Sequence, residues 1–486
     1  MRKAISLQRR LDGPLIGEVV LNFECRSEII PILRALQHLY SCPELRDKVL
    51  ALVAGDVNRD SRTDRGRESF SHWQVLVLSA VRLGCNLDYD QLQDFAEQHR
   101  HLRLIMGLGD WVGGLSFNWR CLQDNLTLLS AETITEISHA LVAEGHRLEP
   151  EAPKQVRGDS FVAETNVHWP TESSLIRDGL RKIIPLCLAL AAALGLRGWR
   201  QHAHLFTKIK HLARDIDRIA AKKGPKYAER LTTKYRDLLR LSGQLTQRAQ
   251  ALMTKAESQG GDATTIEELR KYLGLTERVR DTARRRVLWG ETVPNADKLF
   301  SLFETHTQLY KRGKAGEPVQ FGRLVLTIED AVGFIVQHEV LPRDATDKTV
   351  LLEQMRIAQK RLGGKIESAS FDRGFHTPEN QIELAKIVAQ PCLPKPGAKQ
   401  AAAQAAAATA EFQEARRRHS GIESAIGALQ AGNGLKRCRD RTEAGFKRYI
   451  ALGVLGRNLH VLGKLLIARE QPNCAAACSH RASAAA

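Results

Sequence analysis

The stretch 174–290 reads as almost wholly helical, and it separates two regions that read as strands. Within it Leu205, Ile209, Leu212, Ile216 and Ile219 recur at steps of four and three. Leu231, Tyr235, Leu238, Ser242 and Leu245 do the same. Lys223-Gly224-Pro225-Lys226 lies between the two series and is a strong turn signal. The pattern predicts an antiparallel helical hairpin with an apolar seam and basic outer faces. Such a hairpin either packs on itself as a structural insertion or forms an arm that touches DNA or a second subunit. Beyond it the order strand hairpin, helix, strand, helix is a mixed layer arrangement, so the fold reads as α/β (mixed) with a helical-hairpin insertion.

On the N-terminal side of the insertion, Lys154–Val167 (KQVRGDSFVAETNV) mixes β-branched and short polar residues as a strand does. On the far side, strands are expected at Leu299–Thr307, Val319–Glu329 and Phe334–Val340, the last two joined by the turn Asp330–Gly333. A helix at Lys348–Leu362 is stopped by Gly363-Gly364. A strand over Ile366–Phe371 and a helix over Pro378–Val388, with proline in its first turn, come next. Lys395–Ala410 is alanine-rich, Arg416–Leu429 reads as a helix, and Gly445–Leu466 as a last apolar helix.

Residues 1–150 read as all-α, with helices at Ile29–Tyr40, Trp73–Leu83, Tyr89–His99, Asn118–Leu129 and Thr133–Glu144. Ser116 and Ser130 are candidate N-caps. The second and third of these helices, joined by Gly84-Cys85-Asn86, are compatible with a helix-turn-helix that contacts DNA. The expected organisation is a helical N-terminal DNA-binding domain (1–150), a catalytic domain (151–173 and 291–466), the helical insertion (174–290) and a disordered tail (467–486).

The chain carries 72 Lys and Arg against 55 Asp and Glu, a formal charge of +17. The cations come in blocks, Lys208–Lys223, Arg284–Arg286 and Arg416–Arg418, which points to a polyanionic partner, double-stranded DNA above all. The nine cysteines show no metal-binding spacing. Cys474 and Cys478 form the sole close pair, and no histidines complete a zinc set, so reduced thiols in a cytoplasmic protein are expected. No signal-peptide core opens the chain. The apolar run Ile183–Leu196 is too short to span a bilayer and contains a proline, so it reads as a buried core helix and no membrane association is expected.

Three acids stand in contexts that suit a metal-holding carboxylate: Asp159 within the first strand, Asp372 just after Ile366–Phe371, and Glu423 in the helix behind the basic cluster Arg416–His419. Hard divalent cations take carboxylate oxygens, and a pair of them clamps the attacking and leaving oxygens of a phosphodiester. Mg²⁺ is the expected cation, with Mn²⁺ able to substitute. Arg416, Arg417, Arg418 and His419 would hold the DNA backbone. Glu411 and Glu414 are the nearest rivals of Glu423. Asn166, Thr165, Arg373, His168 and His376 flank the acids, and Glu172 supplies a further carboxylate. Glu164 lies five residues after Asp159, an odd step that turns it to the other face of the strand.

The stretches GDSFVAETNVHWPTESS, ASFDRGFHTPENQ, ARRRHSGIESAIGAL and GFKRYIALGVLGRNLHVLG resemble the DDE transposases of bacterial insertion sequences, the ISNCY-type group most of all. Phe303–Val340, with Lys314-Ala-Gly316, is similar too. The likeness covers residues 154–170 and about 299–466. It implies an RNase H-like catalytic core, Mg²⁺-dependent DNA strand cleavage and transfer, and Asp159, Asp372 and Glu423 as the acidic triad. It further implies terminal-repeat and target DNA as partners and a homodimer on DNA. From Asp159 to Asp372 is 213 positions, an excess that the helical insertion accounts for. The same acids would serve an RNase H-like nuclease, and an inactive DNA-binding remnant is the remaining alternative.

Overall fold

The computed structural model describes residues 3–5, 13–59, 69–109, 116–222, 224–311, 318–406 and 408–471. Lys314-Ala-Gly316, Cys474 and Cys478 lie outside them, as does the tail from 472. The chain divides into two compact units, Met1–Asn166 with Arg323–Ala486, and Val167–Gly322.

The first unit opens with helices α1 (Ile29–Ser41), α2 (Pro43–Asn58), α3 (His72–Gly84), α4 (Tyr89–Gln98), α5 (Arg100–Ile105), α6 (Trp119–Leu126) and α7 (Ala131–Leu148), then strand β1 (Gln155–Glu164). Ser130 caps α7 by accepting from the Thr133 amide, as its position predicts. At α6 the cap is Asn118 itself and not Ser116. Helix α2 escapes a periodicity reading because its buried residues, Val49, Leu50, Val53 and Val57, begin only at its seventh position.

The second unit holds α8 (Glu172–Ala193), α9 (His202–Ala220), α10 (Pro225–Ser258), α11 (Ala263–Ala283) and β2 (Gln308–Tyr310). Ile183, Ile184, Cys187 and Leu190 of the long apolar run are buried in its core with Ile209, Ile216, Tyr235, Leu238 and Leu245 of the hairpin. The hairpin is therefore one half of a helical cluster completed by α8 and α11. The strand expected at Leu299–Thr307 does not form. The Ser301 hydroxyl accepts from the Phe303 and Glu304 amides, and the Thr307 amide closes on Glu304, so the segment turns and pairing starts only at Gln308.

The chain continues through β3 (Gln320–Asp330), whose first residues pair with β2, and then β4 (Ile335–Val340), α12 (Asp347–Arg361), β5 (Ser368–Phe371), α13 (Pro378–Ile387), β6 (Gln390–Cys392), α14 (Ala398–Ala406), α15 (Ala410–His419), α16 (Gly421–Gly427) and α17 (Glu443–Glu470). In the first unit the sheet runs β4-β3-β1-β5-β6. The β3–β4 hairpin is antiparallel, and β5 and β6 run parallel to β1. This is a mixed α/β architecture. Helix α17 carries the tail expected from 467 onward as far as Glu470.

Helix α17 is long and apolar enough to cross a membrane by composition, but 78% of its apolar window is buried within the protein. It packs on α1, α3 and α7, which is why the N-terminal helices and the sheet share one unit. Glycines permit the approach: a Cβ at Gly456 would meet the backbone of Gly84, and one at Gly463 that of Pro31. This packing also bears on the helix-turn-helix reading. Helix α3 is buried almost throughout, and α4 bears Asp90, Asp94 and Glu97 with no cation, a charge pattern that DNA repels.

Three histidines of this unit are held uncharged. Burial pushes His338 on β4 down to about 3 from an ordinary 6.5, with His139 and Arg361 adding repulsion. Burial and Arg361 bring His139 to about 4 against the pull of Glu136, and burial brings His460 to about 4. The unfolded chain takes up these protons below pH 6.5, whereas the folded chain resists until about 4, so stability falls with pH across that window. Denaturant unfolding is expected to give a lower stability at pH 5 than at pH 7, and His139→Gln with His338→Gln to narrow the difference.

Candidate active site

β1 and β5 are in parallel register with Arg157 opposite Ser370 and Gly158 opposite Phe371. The next step along both strands brings Asp159 and Asp372 abreast. Strand alternation places Asp159 on the face of Arg157, and Asp372 on the face of Ser370. Both acids thus sit at the carboxyl-terminal side of a central parallel pair. There β1 has β3 as its neighbour on one side and β5, then β6, on the other.

The break between α15 and α16 covers that same face. The Arg157 guanidinium donates to the Arg418 carbonyl at 2.9 Å. It is held from below by Glu329 of β3, with N–O distances of 2.7 and 2.6 Å. The His419 ring reaches the Ser370 hydroxyl at 3.3 Å. Gly421 opens α16 directly above Arg157, where a Cβ would overlap the guanidinium. These contacts fix the start of α16 over β1 and place Glu423 in its first turn. His419 registers the convergence. Burial holds its imidazole below the usual value and Arg157 pushes the same way, while Asp372 and Glu423 both pull it up. The neutral ring therefore lies within the field of two of the three acids. Among the described residues the three carboxylates do not all come within 4.8 Å of one another.

Asp159 accepts from the amide of Ser160 at 2.7 Å, and Asp372 from that of Arg373 at 2.7 Å. Asp372 and Glu423 are exposed, so a polymeric substrate can reach them. Arg416, Arg417 and Arg418 are exposed on α15, and Arg418 pairs with Glu414 one turn before. His419 instead faces the strands. Glu411 is exposed on the same helix, two turns ahead of the break. Glu164 ties the end of β1 to Lys436 and Cys438 through its backbone. In the second unit Glu172 is paired with Arg286 at 2.5 Å, and His168 contacts the Ser174 hydroxyl at 3.2 Å. The His376 ring buries an Nε2 with no partner beside a cavity of about 990 Å³ lined also by Cys392, Lys395 and Phe412, which includes none of the three acids. Arg157, Ser370 and Gly421 escaped the sequence reading. The one signal for Arg157 was its place two residues before Asp159, on the same strand face.

The one group among the described residues that does bring three metal-ligand atoms within 4.8 Å of one another is His38, Cys42 and Glu144. His38 Nε2 lies 2.8 Å from Glu144 and 3.6 Å from the Cys42 sulfur. Arg147 grips both oxygens of Glu144, and burial with the Glu144 charge pushes the Cys42 thiol up, which keeps it protonated. That is a satisfied ion-pair network. All seven described cysteines are free thiols.

No known protein family, curated protein or solved structure matches this chain.

Proposed function

We propose that the chain is a DNA strand transferase of the DDE insertion-sequence type, built on an RNase H-like core. The observation that carries this reading is the alignment of Asp159 and Asp372 across the β1–β5 pair, under a helix break that delivers Glu423 to the same face. The residues fit the cation such a reaction uses, because the donor set is carboxylate oxygen, which favours Mg²⁺ and Mn²⁺ over softer metals. When bound, these cations supply Lewis-acid polarisation of the phosphodiester and a deprotonated nucleophile at neutral pH. Asp159, Asp372 and Glu423 would hold them; the Arg373 amide orients the Asp372 carboxylate, and Arg157 ties the α15–α16 break to β1. Arg416–Arg418 neutralise backbone phosphates beside the site without reading sequence. Joining a cut 3′ end to target DNA would use the same acids with a DNA hydroxyl as nucleophile, and two ends cut in concert would require two copies of the chain.

The test is incubation of the protein with supercoiled and linear DNA bearing the sequences that flank its own gene, in Mg²⁺, Mn²⁺ or EDTA. Metal-dependent nicks at defined positions support the reading. Binding without cleavage in either metal would leave a DNA-binding remnant. Cleavage without joining of the cut ends to a second duplex would make it an RNase H-like nuclease.

The helix break offers a separate handle. Gly421→Ala forces α16 or Arg157 to move, a strain of about 1–3 kcal/mol. Nicking is expected to drop by about tenfold or more. Duplex affinity should stay within about twofold. An unchanged rate in Gly421→Ala would show that the break does not set the position of Glu423.

A further inference from the structure

The sequence leaves open whether the helical hairpin is inert, meets a second subunit or meets DNA. Its packing in the second unit decides between these. Between His202 and Arg240 stand eleven Lys and Arg against four Asp and Glu, a surplus of seven in a chain whose total surplus is seventeen. The apolar stripe of α9, Ile209, Ala213, Ile216 and Ile219, is buried within its own unit. Among the described residues none of the exposed large apolar side chains lies on α9 or α10. The centre of a stable protein–protein interface is enriched in such side chains and depleted of charge, so this surface suits a protein partner less well than a polyanion. What remains outside is charge. Lys210, Arg214, Arg218 and Lys222 follow one another at four-residue steps, so they form one ridge along α9 and its end. All four are exposed, and none makes an ion pair among the described residues. Asp217, the nearest acid, accepts from Ser173 at 3.1 Å, and Asp215 is taken by Lys234.

We infer that the α9–α10 hairpin is an arm that lies along the backbone of duplex DNA, with Lys210, Arg214, Arg218 and Lys222 as its phosphate contacts. The ridge extends over about 18 Å at 1.5 Å per residue. It can therefore run beside about five phosphates of one strand, spaced about 3.4 Å along the duplex axis. The contact is electrostatic and carries no sequence information. This rests on the proposed DNA chemistry for its partner, yet it concerns a surface that the three carboxylates do not share.

The experiment is fluorescence anisotropy of the full chain with a 30-base-pair duplex of unrelated sequence, at a series of KCl concentrations without divalent metal. The comparison is between wild type, Lys210→Gln/Arg214→Gln/Arg218→Gln/Lys222→Gln, and the charge-keeping Lys210→Arg/Lys222→Arg. Each lost phosphate contact lowers the slope of log affinity against log salt by about 0.9. The quadruple variant is expected to lose about 3.6 units of slope and at least tenfold in affinity at low salt, with the thermal midpoint and helical circular dichroism unchanged. The charge-keeping variant Lys210→Arg/Lys222→Arg should behave as wild type. An unchanged slope in the quadruple variant overturns the arm. So does a loss of self-association, or of binding to anionic vesicles, with duplex affinity intact. Failure of wild type to bind any duplex overturns both this inference and the proposed function, whereas binding without metal-dependent nicking overturns only the latter.

Discussion

Asp372→Asn is expected to abolish metal-dependent DNA nicking, with a loss of about a thousandfold or more, while leaving duplex affinity within about twofold. The side chain keeps its size, and an amide oxygen can still accept from the Arg373 amide that now caps onto the carboxylate. The negative charge facing the cations disappears. Cation stabilisation of a reacting phosphoryl oxygen contributes several kcal/mol, and each 1.36 kcal/mol is a factor of ten in rate. Because Asp372 is exposed, its replacement costs little in folding, so the loss of rate can be read as chemistry. A matched loss is expected for Asp159→Asn. Glu411→Gln, two turns before the break, should cost less than about threefold. An Asp372→Asn protein that nicks at the wild-type rate would remove this residue from the mechanism.

The largest effect on stability is expected at Arg82. Its guanidinium is buried and forms a paired contact with Asp440 at 2.6 and 3.4 Å, and its plane lies 4.0 Å from the centre of the Tyr89 ring. Arg82→Leu leaves the Asp440 carboxylate buried with only Arg448, 3.6 Å away, in partial compensation. Breaking a buried pair from one side costs about 3–5 kcal/mol, whereas replacing both partners with apolar residues comes close to neutral. Urea unfolding should therefore show a large drop for Arg82→Leu and a much smaller one for Arg82→Leu with Asp440→Leu. Equal drops in the two variants would mean that the site is held by packing and not by charge.

The elements legible in the sequence were those with strong local rules. The α9–α10 hairpin announces itself through its four-and-three periodicity and Gly224-Pro225. Helix α12 is marked by the glycines that stop it, and the β3–β4 hairpin by Asp330–Gly333. Long-range pairings left no such mark. Nothing local says that Gln155 pairs with Ser368, or that α17 would gather the N-terminal helices onto the sheet. Leu299–Thr307 reads as a strand because its two leucines and two phenylalanines suit one, but the Ser301 hydroxyl offers the backbone a competing set of hydrogen bonds. The three acids stood out by residue type and context. The groups that position them, Arg157, Glu329, Ser370 and Gly421, did not, since their role exists only once β1, β3, β5 and the α15–α16 break are brought together.

The central claim is that Asp159, Asp372 and Glu423 jointly hold divalent cations. Electron paramagnetic resonance of free Mn²⁺, titrated with the full chain in the presence of duplex DNA, tests it most directly. The account predicts Mn²⁺ uptake by the wild type that falls sharply in each of Asp159→Asn, Asp372→Asn and Glu423→Gln, and that is unaffected by His38→Gln at the other cluster. Uptake unchanged in all three carboxylate variants, or lost in His38→Gln alone, would contradict it.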